Sequence, residues 1–245
     1  IKNYKLRKPG KQLCAITPKP FSERTWPVQP VPSVLLYVTT HASSQHLDFL
    51  HFWPAVLQLF PLNTSDVFFY FTNATALDQQ WYDAINRIPR VQGVHYAQTG
   101  NPGYHAGAIM AVHDKAVLPL VNWSEYDWVI RLNPDVIMYN ANRTFHMMQH
   151  PYTDVVAINW SEDSHAGVDT DFTAMRTDAF KTILQSPALS EKAEADMTKQ
   201  LKTHNYTVDW LLPLRQTDFC RVDLCNEIMH EHNLDRAIAF YNSRP

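Results

Sequence analysis

From Pro32 onward, short apolar runs alternate with longer segments in which apolar residues recur at helical spacing, and this alternation limits the possible folds most strongly. The apolar runs are rich in β-branched and aromatic residues, which favour strands. Strands are predicted at 34–39, 66–72, 93–97, 128–132 and 154–159, with helices between them at 46–60, 76–88 and 104–120. This order predicts an α/β fold, in which a mixed, mostly parallel sheet is flanked by helices through right-handed crossovers.

The remaining segments predict the domain organisation. A further strand is expected at 172–175 and a helix at 177–185, and segments 188–204 and 217–233 have helical patterns. Residues 1–32 contain six of the 16 prolines and a basic start, which predicts an extended N-terminal arm. Residues 33–245 are expected to form a single catalytic domain.

Charge and composition exclude some partners. The net charge of −3 gives no general electrostatic attraction to nucleic acid, and no run of about 18 apolar residues predicts a membrane span. Asn-x-Ser/Thr sequons occur at Asn63, Asn73, Asn122, Asn142, Asn159 and Asn205. They fit either chance or a glycosylated luminal protein, so the compartment stays open between the cytosol and a secretory or Golgi lumen, the latter with an anchor outside this sequence.

The predicted strand 128–132 ends abruptly in Asn133-Pro134-Asp135, and a second apolar run follows at 136–139. Proline interrupts the hydrogen-bond ladder of a strand, so Asn133 and Asp135 are placed at a strand tip. Open α/β sheets bind ligands at the carboxyl ends of their strands. The alternative is an ordinary turn, because Asn, Pro and Asp are common turn residues.

Glycine-rich phosphate loops are absent from the sequence, which has six glycines and neither a G-x-G-x-x-G after the first strand nor a G-x-x-x-x-G-K-[ST] anywhere. A bound nucleotide diphosphate would therefore need a divalent cation, Mn²⁺ or Mg²⁺, to neutralise its charge. Asp135 supplies a suitable carboxylate for that cation. Asn133 offers a neutral oxygen, either directly or through water.

Three segments resemble the GT-A class of glycosyltransferases. Arg131-Leu132-Asn133-Pro134-Asp135-Val136 is similar to the acidic DxD region of this class, in particular to the Glu-Pro-Asp-Val variant of yeast-type mannosyltransferases. The segment 103–109 resembles the Gly-Ala-Ile segment that faces the nucleotide sugar, and 169–176 resembles a Thr-Asp-Phe-x-x-Arg segment. The element order over about 33–235 also resembles the small glycosyltransferases of large algal viruses. The sequence departs from the DxD pattern at Asn133, where the first acidic residue would stand.

The resemblance implies a glycosyltransferase that moves a monosaccharide from a nucleoside-diphosphate sugar, most often UDP-linked, to a hydroxyl of an oligosaccharide or glycoprotein. Asp135 would bind the metal, and His230 or His232, expected on a C-terminal helix, would add a ligand. The predicted donor contacts are Thr39, Thr40, His41, His105, Gly107, Arg131 and Asn133. An inverting enzyme would also need a carboxylate base, for which Asp169, Asp171 and Asp209 are the candidates.

Two other function classes fit parts of the sequence. A non-catalytic glycan-binding module would use Trp160 and the polar loop after it as a stacking platform, and it would not need Asp135. A non-haem iron enzyme could use the His46-x-Asp48 pair, or the E-x-x-H pairs Glu162/His165 and Glu227/His230. The strand-rich pattern disfavours the iron enzyme, because those sites belong to barrels and helical bundles.

Overall fold

The computed structural model describes residues 30–72, 77–97, 104–139, 141–159, 168–211, 228–230 and 232–242. The predicted N-terminal arm, except for its last residues, and the loop that follows Trp160 lie outside these ranges. Their predicted roles stay predictions.

A seven-stranded sheet forms the centre of the described structure, with the order β3-β2-β1-β4-β7-β6-β8. Its strands are β1 (Val34–Thr40), β2 (Asp66–Phe71), β3 (Val91–Tyr96), β4 (Trp128–Leu132), β6 (Val155–Asn159), β7 (Val168–Arg176) and β8 (Val208–Leu211). Only β7 runs antiparallel to its neighbours β4 and β6 among these pairings, so the sheet is mixed and mostly parallel. A separate antiparallel pair joins β5 (Val136–Met138) to β9 (Ile228–His230).

Helices cover both faces of this sheet. They are α1 (Ser44–Val56), α2 (Gln79–Asn86), α3 (Tyr104–His113), α4 (Asn142–Met148), α5 (Thr177–Gln185), α6 (Ala193–Thr203) and α7 (Leu234–Asn242), with 3₁₀ turns at Leu62–Thr64, Lys115–Leu120 and Trp123–Glu125. The parallel order and the two helical layers confirm the predicted α/β class. All seven residues of β1 are buried, as expected for a strand that is covered on both faces.

The sheet separates two hydrophobic cores. Trp128 and Ile130 of β4 face the first core with α1, α2, α4 and α7, whereas Val129 faces the second core with α3, α5 and α6. This division follows from the alternation of side chains along a strand. The alternation continues along β4. Arg131 lies on the face opposite to the first core, and Leu132 belongs to the first core.

Some predicted elements differ from the structure for local reasons. The helix predicted at 104–120 ends at His113, because the Asp114 carboxylate accepts a hydrogen bond from Ala116 N and starts a 3₁₀ turn that contains Pro119. The helix predicted at 217–233 is wrong at 228–230, which form strand β9 through pairing with β5. Segment 208–211 is a strand, and α4 and α7 were not predicted.

The described helices include none that is long and apolar enough to cross a membrane.

Removal of the Tyr37 hydroxyl tests how strongly β1 of the sheet holds α3. Tyr37 is fully buried and donates a hydrogen bond to Ala111 O at 2.9 Å. Tyr37→Phe should lower the free energy of unfolding by about 1–2 kcal/mol, because it leaves a buried carbonyl without its donor. Urea denaturation measures the loss. Tyr152→Phe is the control, because that side chain is 74% exposed and should show no change. Equal stabilities of the two variants would contradict the assigned contact.

Candidate functional site

A cavity of about 410 Å³ lies at the carboxyl ends of β1 and β4, where the sequence places its polar strand tips. The lining combines hydroxyl, imidazole and carboxylate groups from both faces of the sheet. It consists of Thr39, Thr40, His41, Ser43, Gln45, His46, Thr72, His105, Gly107, Ala108, Arg131, Asn133, Asp135, Thr170, Asp171, Ala193, Glu194, His230 and His232.

The Asn-Pro-Asp segment is a turn and also part of this cavity. Val136 N donates to Asn133 O at 3.1 Å, which closes the turn between β4 and β5. Trp53 Nε1 of α1 donates to Pro134 O at 2.8 Å and holds the turn against the first core. The Asp135 side chain is 2% exposed as a result, although it lines the cavity. The two interpretations of this segment are therefore compatible.

Four polar side chains converge on the Asp135 carboxylate. Gln45 Nε2 donates to Asp135 Oδ2 at 2.8 Å. His232 Nδ1 and His230 Nε2 lie 3.2 Å and 3.4 Å from the same oxygen, and His46 Nε2 lies 3.5 Å from Oδ1. A buried carboxylate is costly unless it is paired, so these groups are what permit Asp135 to stay inside.

The electrostatics of this cluster keep Asp135 ionised. Burial would raise the pKa of Asp135, but the adjacent imidazoles of His230 and His46 and their charges outweigh this effect and hold the pKa well below its usual value. Burial lowers the pKa of His230, yet its hydrogen bond to Asp135 and the charges of Asp171, Asp135 and Asp169 raise it to about 9. Without a bound cation, the carboxylate and His230 therefore form an ion pair at neutral pH.

The chemistry of the cluster fits a divalent cation. One ligand atom each from Asp135, His230 and His232 lies within 4.8 Å of the others. Asp135 Oδ1 is buried and has no hydrogen-bond partner among the described residues. Gln45 Nε2 lies 2.8 Å from both Asp135 Oδ2 and His232 Nδ1, so these two ligand atoms face the same point. One carboxylate and two imidazoles are ligands that divalent first-row transition-metal ions accept.

The placement of His230 depends on β9. The register pairs Val136 with His230, so the imidazole stands next to Asp135 across the two-stranded sheet. His230 Nδ1 also lies 3.3 Å from Asp171 Oδ2. His230 therefore lies between two carboxylates, one at each ring nitrogen. The expectation that a C-terminal helix carries His230 is wrong, because the residue lies on a strand.

Asn133 connects the strand tips rather than standing free in the cavity. Thr39 Oγ1 donates to Asn133 Oδ1 at 2.8 Å, and Asn133 Nδ2 donates to Asp171 Oδ1 at 2.6 Å. These bonds join β1, β4 and β7 at the edge of the sheet. An amide can donate and accept at the same time, which an aspartate at this position could not do. That Asn133 also contacts a ligand stays a prediction.

The end of the cavity near Arg131 lies on the face of the sheet that packs against the second core. Arg131 is 2% exposed there and lines the cavity, with His105 and Gly107 from the first turns of α3 and Glu194 from the first turn of α6. His105 Nδ1 lies 3.4 Å from Glu194 Oε2. Burial lowers the pKa of Arg131, and the charges of Asp171, Asp169 and Glu194 oppose this effect.

Two of the predicted catalytic carboxylates do not line the cavity. Asp169 is buried, and its Oδ1 accepts a hydrogen bond from Asp171 N at 2.8 Å. Burial and the charge of Asp171 raise the pKa of Asp169 to about 6, against the opposing effects of that backbone bond, His230 and Arg131. All the other predicted site residues except Asp209 line the cavity.

Asp209, predicted as a candidate base, lies away from the cavity. Its register partner on β6 is Val156, which aligns through β7 with Ile130 in the middle of β4, so Asp209 lies below the strand tips. Its carboxylate accepts a hydrogen bond from Thr153 Oγ1 at 2.6 Å. Segment 208–211 is the edge strand β8, and this position at the edge of the sheet keeps the carboxylate out of the cavity lining.

Sequence reasoning missed six polar residues of the lining, namely Ser43, Gln45, His46, Thr72, Thr170 and Glu194. Gln45 and His46 lie in the first turn of α1, directly after β1, and Glu194 lies in the first turn of α6. A helix that follows a parallel strand begins at the carboxyl edge of the sheet, which is the signal that could have identified Gln45 and His46. His46 was noted in the sequence only as half of an iron motif. Its partner Asp48 is exposed, whereas His46 is buried, so the two side chains do not form that site.

Other residues on which the glycan-binding and iron-site interpretations depend lie outside the described part of the chain. Trp160, Glu162, His165 and Glu227 are among them. The glycan-platform and E-x-x-H interpretations therefore stay untested.

No protein-family model matches the sequence, and no curated protein matches it. Solved structures do show similarity. Mouse xyloside xylosyltransferase 1 in its apo form is 11% identical, with a TM-score of 0.50, over 82% of this chain and 98% of that chain. TarS 1–349 from S. aureus is 14% identical, with a TM-score of 0.49, over 73% of this chain and 58% of that chain.

A third similar structure is the mannosyltransferase PcManGT from Pyrobaculum calidifontis in complex with GDP-Man and Mn²⁺. It is 12% identical, with a TM-score of 0.48, over 76% of this chain and 58% of that chain. The chain thus spans 58% of the length of the TarS and PcManGT chains. The match to the mouse structure covers almost all of that chain. The chain has the GT-A fold of nucleotide-sugar glycosyltransferases.

Proposed function

We propose that this protein is a metal-assisted glycosyltransferase that moves a monosaccharide from a UDP-linked nucleoside-diphosphate sugar to a hydroxyl of a glycan or glycoprotein. A fold hosts many functions, so the site has to carry this proposal. The observation that carries it is the group of Asp135, His230 and His232, which opens into a polar cavity at the carboxyl edge of the sheet.

The absence of a glycine-rich loop supports the same conclusion. A nucleoside diphosphate carries negative charge, and this charge grows on the leaving group as the glycosidic bond breaks. A divalent cation held by Asp135, His230 and His232 would neutralise it. Mn²⁺ matches the mixed oxygen and nitrogen donors better than Mg²⁺, which prefers oxygen ligands. The protein's own task at this end is to keep Asp135 ionised and the two imidazoles oriented.

Asp171 is assigned a positioning role within this group. Of the three carboxylates predicted as bases, Asp171 lines the cavity, but its oxygens already engage Asn133 Nδ2 and His230 Nδ1. A carboxylate on the far nitrogen of a metal-binding histidine fixes the tautomer and raises the basicity of the ring. Asp171 would thus direct His230 Nε2 toward Asp135 and the cation.

The β1 end of the cavity is assigned to the nucleoside. Thr39, Thr40 and His41 end β1, and Ser43 and Thr72 add further hydroxyls to the lining. Thr40 Oγ1 is held by Ala42 N at 3.0 Å and by His46 Nδ1 at 2.8 Å, so it also orients a neighbour of Asp135. Hydroxyl groups that donate and accept suit the ribose and base of a nucleotide. The acceptor hydroxyl would enter from the open side of the same cavity.

Removal of the central charge tests the metal site. Asp135→Asn keeps the shape of the side chain but removes the charged ligand, so Mn²⁺ affinity measured by calorimetry should fall at least about 100-fold. Asp171→Asn should weaken binding by about 10- to 100-fold through His230. Asp209→Asn is the matched control, and its affinity should equal that of the wild type. Unchanged Mn²⁺ affinity in Asp135→Asn would rule out this site.

Nucleotide binding tests the activity class. A thermal-denaturation panel of UDP, UDP-sugars and GDP-mannose is recorded with and without Mn²⁺. A donor present at 100 times its Kd stabilises by about 2.7 kcal/mol, which corresponds to a rise of roughly 5–10 °C in Tm for a chain of this size. The rise should require Mn²⁺ and should disappear in Asp135→Asn. If no nucleotide raises Tm under either condition, the proposed function is wrong.

A further inference from the structure

The end of the cavity away from the Asp135 group has its own chemistry. We call it the Arg131 end, and it is lined by Arg131, His105 and Glu194, with Asp171 between it and the Asp135 group. It lies on the opposite face of the sheet from the core that supports α1 and His46. In the proposed function, the diphosphate of the donor lies at Asp135 and its nucleoside lies at β1. The Arg131 end is then free for the monosaccharide of the donor.

Arg131 indicates that this end binds a ligand. The side chain is 2% exposed, yet its Nε and Nη1 have no hydrogen-bond partner among the described residues. A buried guanidinium that leaves donors unused is costly, and a ligand that supplies acceptor atoms would remove this cost. The cavity is where such a ligand would lie, because Arg131 is part of its lining.

The charges around Arg131 restrict what that ligand can be. Asp171, Asp169 and Glu194 are close enough that their charges oppose the effect of burial on the Arg131 guanidinium. Glu194 also contacts His105, with 3.4 Å between Oε2 and Nδ1. Three carboxylates therefore act on one guanidinium, and one of them, Asp171, is also paired with His230. An anionic group could satisfy Arg131 but would be repelled by the surrounding carboxylates.

Sugar hydroxyls match both features. A hydroxyl can accept a hydrogen bond from Arg131 and donate one to a carboxylate. It carries no charge, so it avoids the repulsion that a carboxylate would meet. We propose that the Arg131 end receives the donor monosaccharide and selects a neutral sugar, excluding sugars that carry a carboxylate of their own. This inference rests on the proposed function and adds the chemical class of the transferred group.

Matched donor pairs test the selection. UDP-glucose and UDP-glucuronate differ at C6 only, as do UDP-galactose and UDP-galacturonate, so each pair isolates the charge. Dissociation constants are measured in Mn²⁺ by calorimetry, with UDP as the reference. The neutral member of at least one pair should bind roughly tenfold or more tightly than its uronate.

Glu194→Gln tests whether the carboxylates at the Arg131 end cause this selection. It removes one of the three carboxylates while keeping the hydrogen-bonding shape, so the uronate should gain affinity and the ratio within the pair should fall several-fold. Glu191→Gln is the matched control: Glu191 is exposed just before α6 and outside the cavity lining, and the ratio should not change. UDP affinity should stay the same in both variants.

The outcomes separate the two proposals. If UDP binds with Mn²⁺ but the uronates bind as tightly as their neutral partners, the selection is wrong and the proposed function stands. A ratio that is identical in Glu194→Gln and wild type would also overturn the selection. If no nucleotide binds at all, both proposals are wrong. A preference for the neutral sugar that weakens in Glu194→Gln supports the inference.

Discussion

The site depends on keeping one carboxylate charged inside the protein. Asp135 is 2% exposed, and a charge so far from water persists only because Gln45, His46, His230 and His232 surround it. These partners come from the start of α1, from β9 and from the segment after it. The cluster therefore draws together parts of the chain that are distant in sequence. Any change that removes the charge leaves several polar groups without their common partner.

The sheet provides the geometry that this cluster needs. Strands β1, β4 and β7 end next to one another, and the Thr39–Asn133–Asp171 hydrogen bonds fasten their tips. Side-chain alternation along β4 directs Arg131 to one face, and the turn at Pro134 brings Asp135 against α1 on the other. The cavity thus has one end at the group of Asp135, His230 and His232 and another end with a buried arginine among carboxylates. Under the proposed function, the first end would hold the cation and the diphosphate, and the second would receive the sugar of the same donor.

The sequence predicted the parts that local patterns determine. The β-branched run 128–132 and the proline after it were enough to locate β4 and to place Asp135 at its tip, and the two glycosyltransferase-like segments identified His105, Gly107 and Asp171 as neighbours. Gln45 and Glu194 were missed because their roles depend on which helical turn reaches the sheet edge. His230 was predicted as a ligand on the wrong element: the strand β9 is only three residues long and exists through pairing with β5. Asp209 was misplaced for a similar reason, since an edge strand of four residues has too short a pattern to be recognised.

Anomalous diffraction at the manganese edge, from crystals grown with Mn²⁺ and UDP, would locate the cation directly. A single strong peak is expected within about 2.0–2.3 Å of an Asp135 carboxylate oxygen and of imidazole nitrogens from His230 and His232, with the diphosphate of UDP beside it. A peak bound by other residues, or bound UDP with no metal near Asp135, would show that Asp135 does not hold the cation.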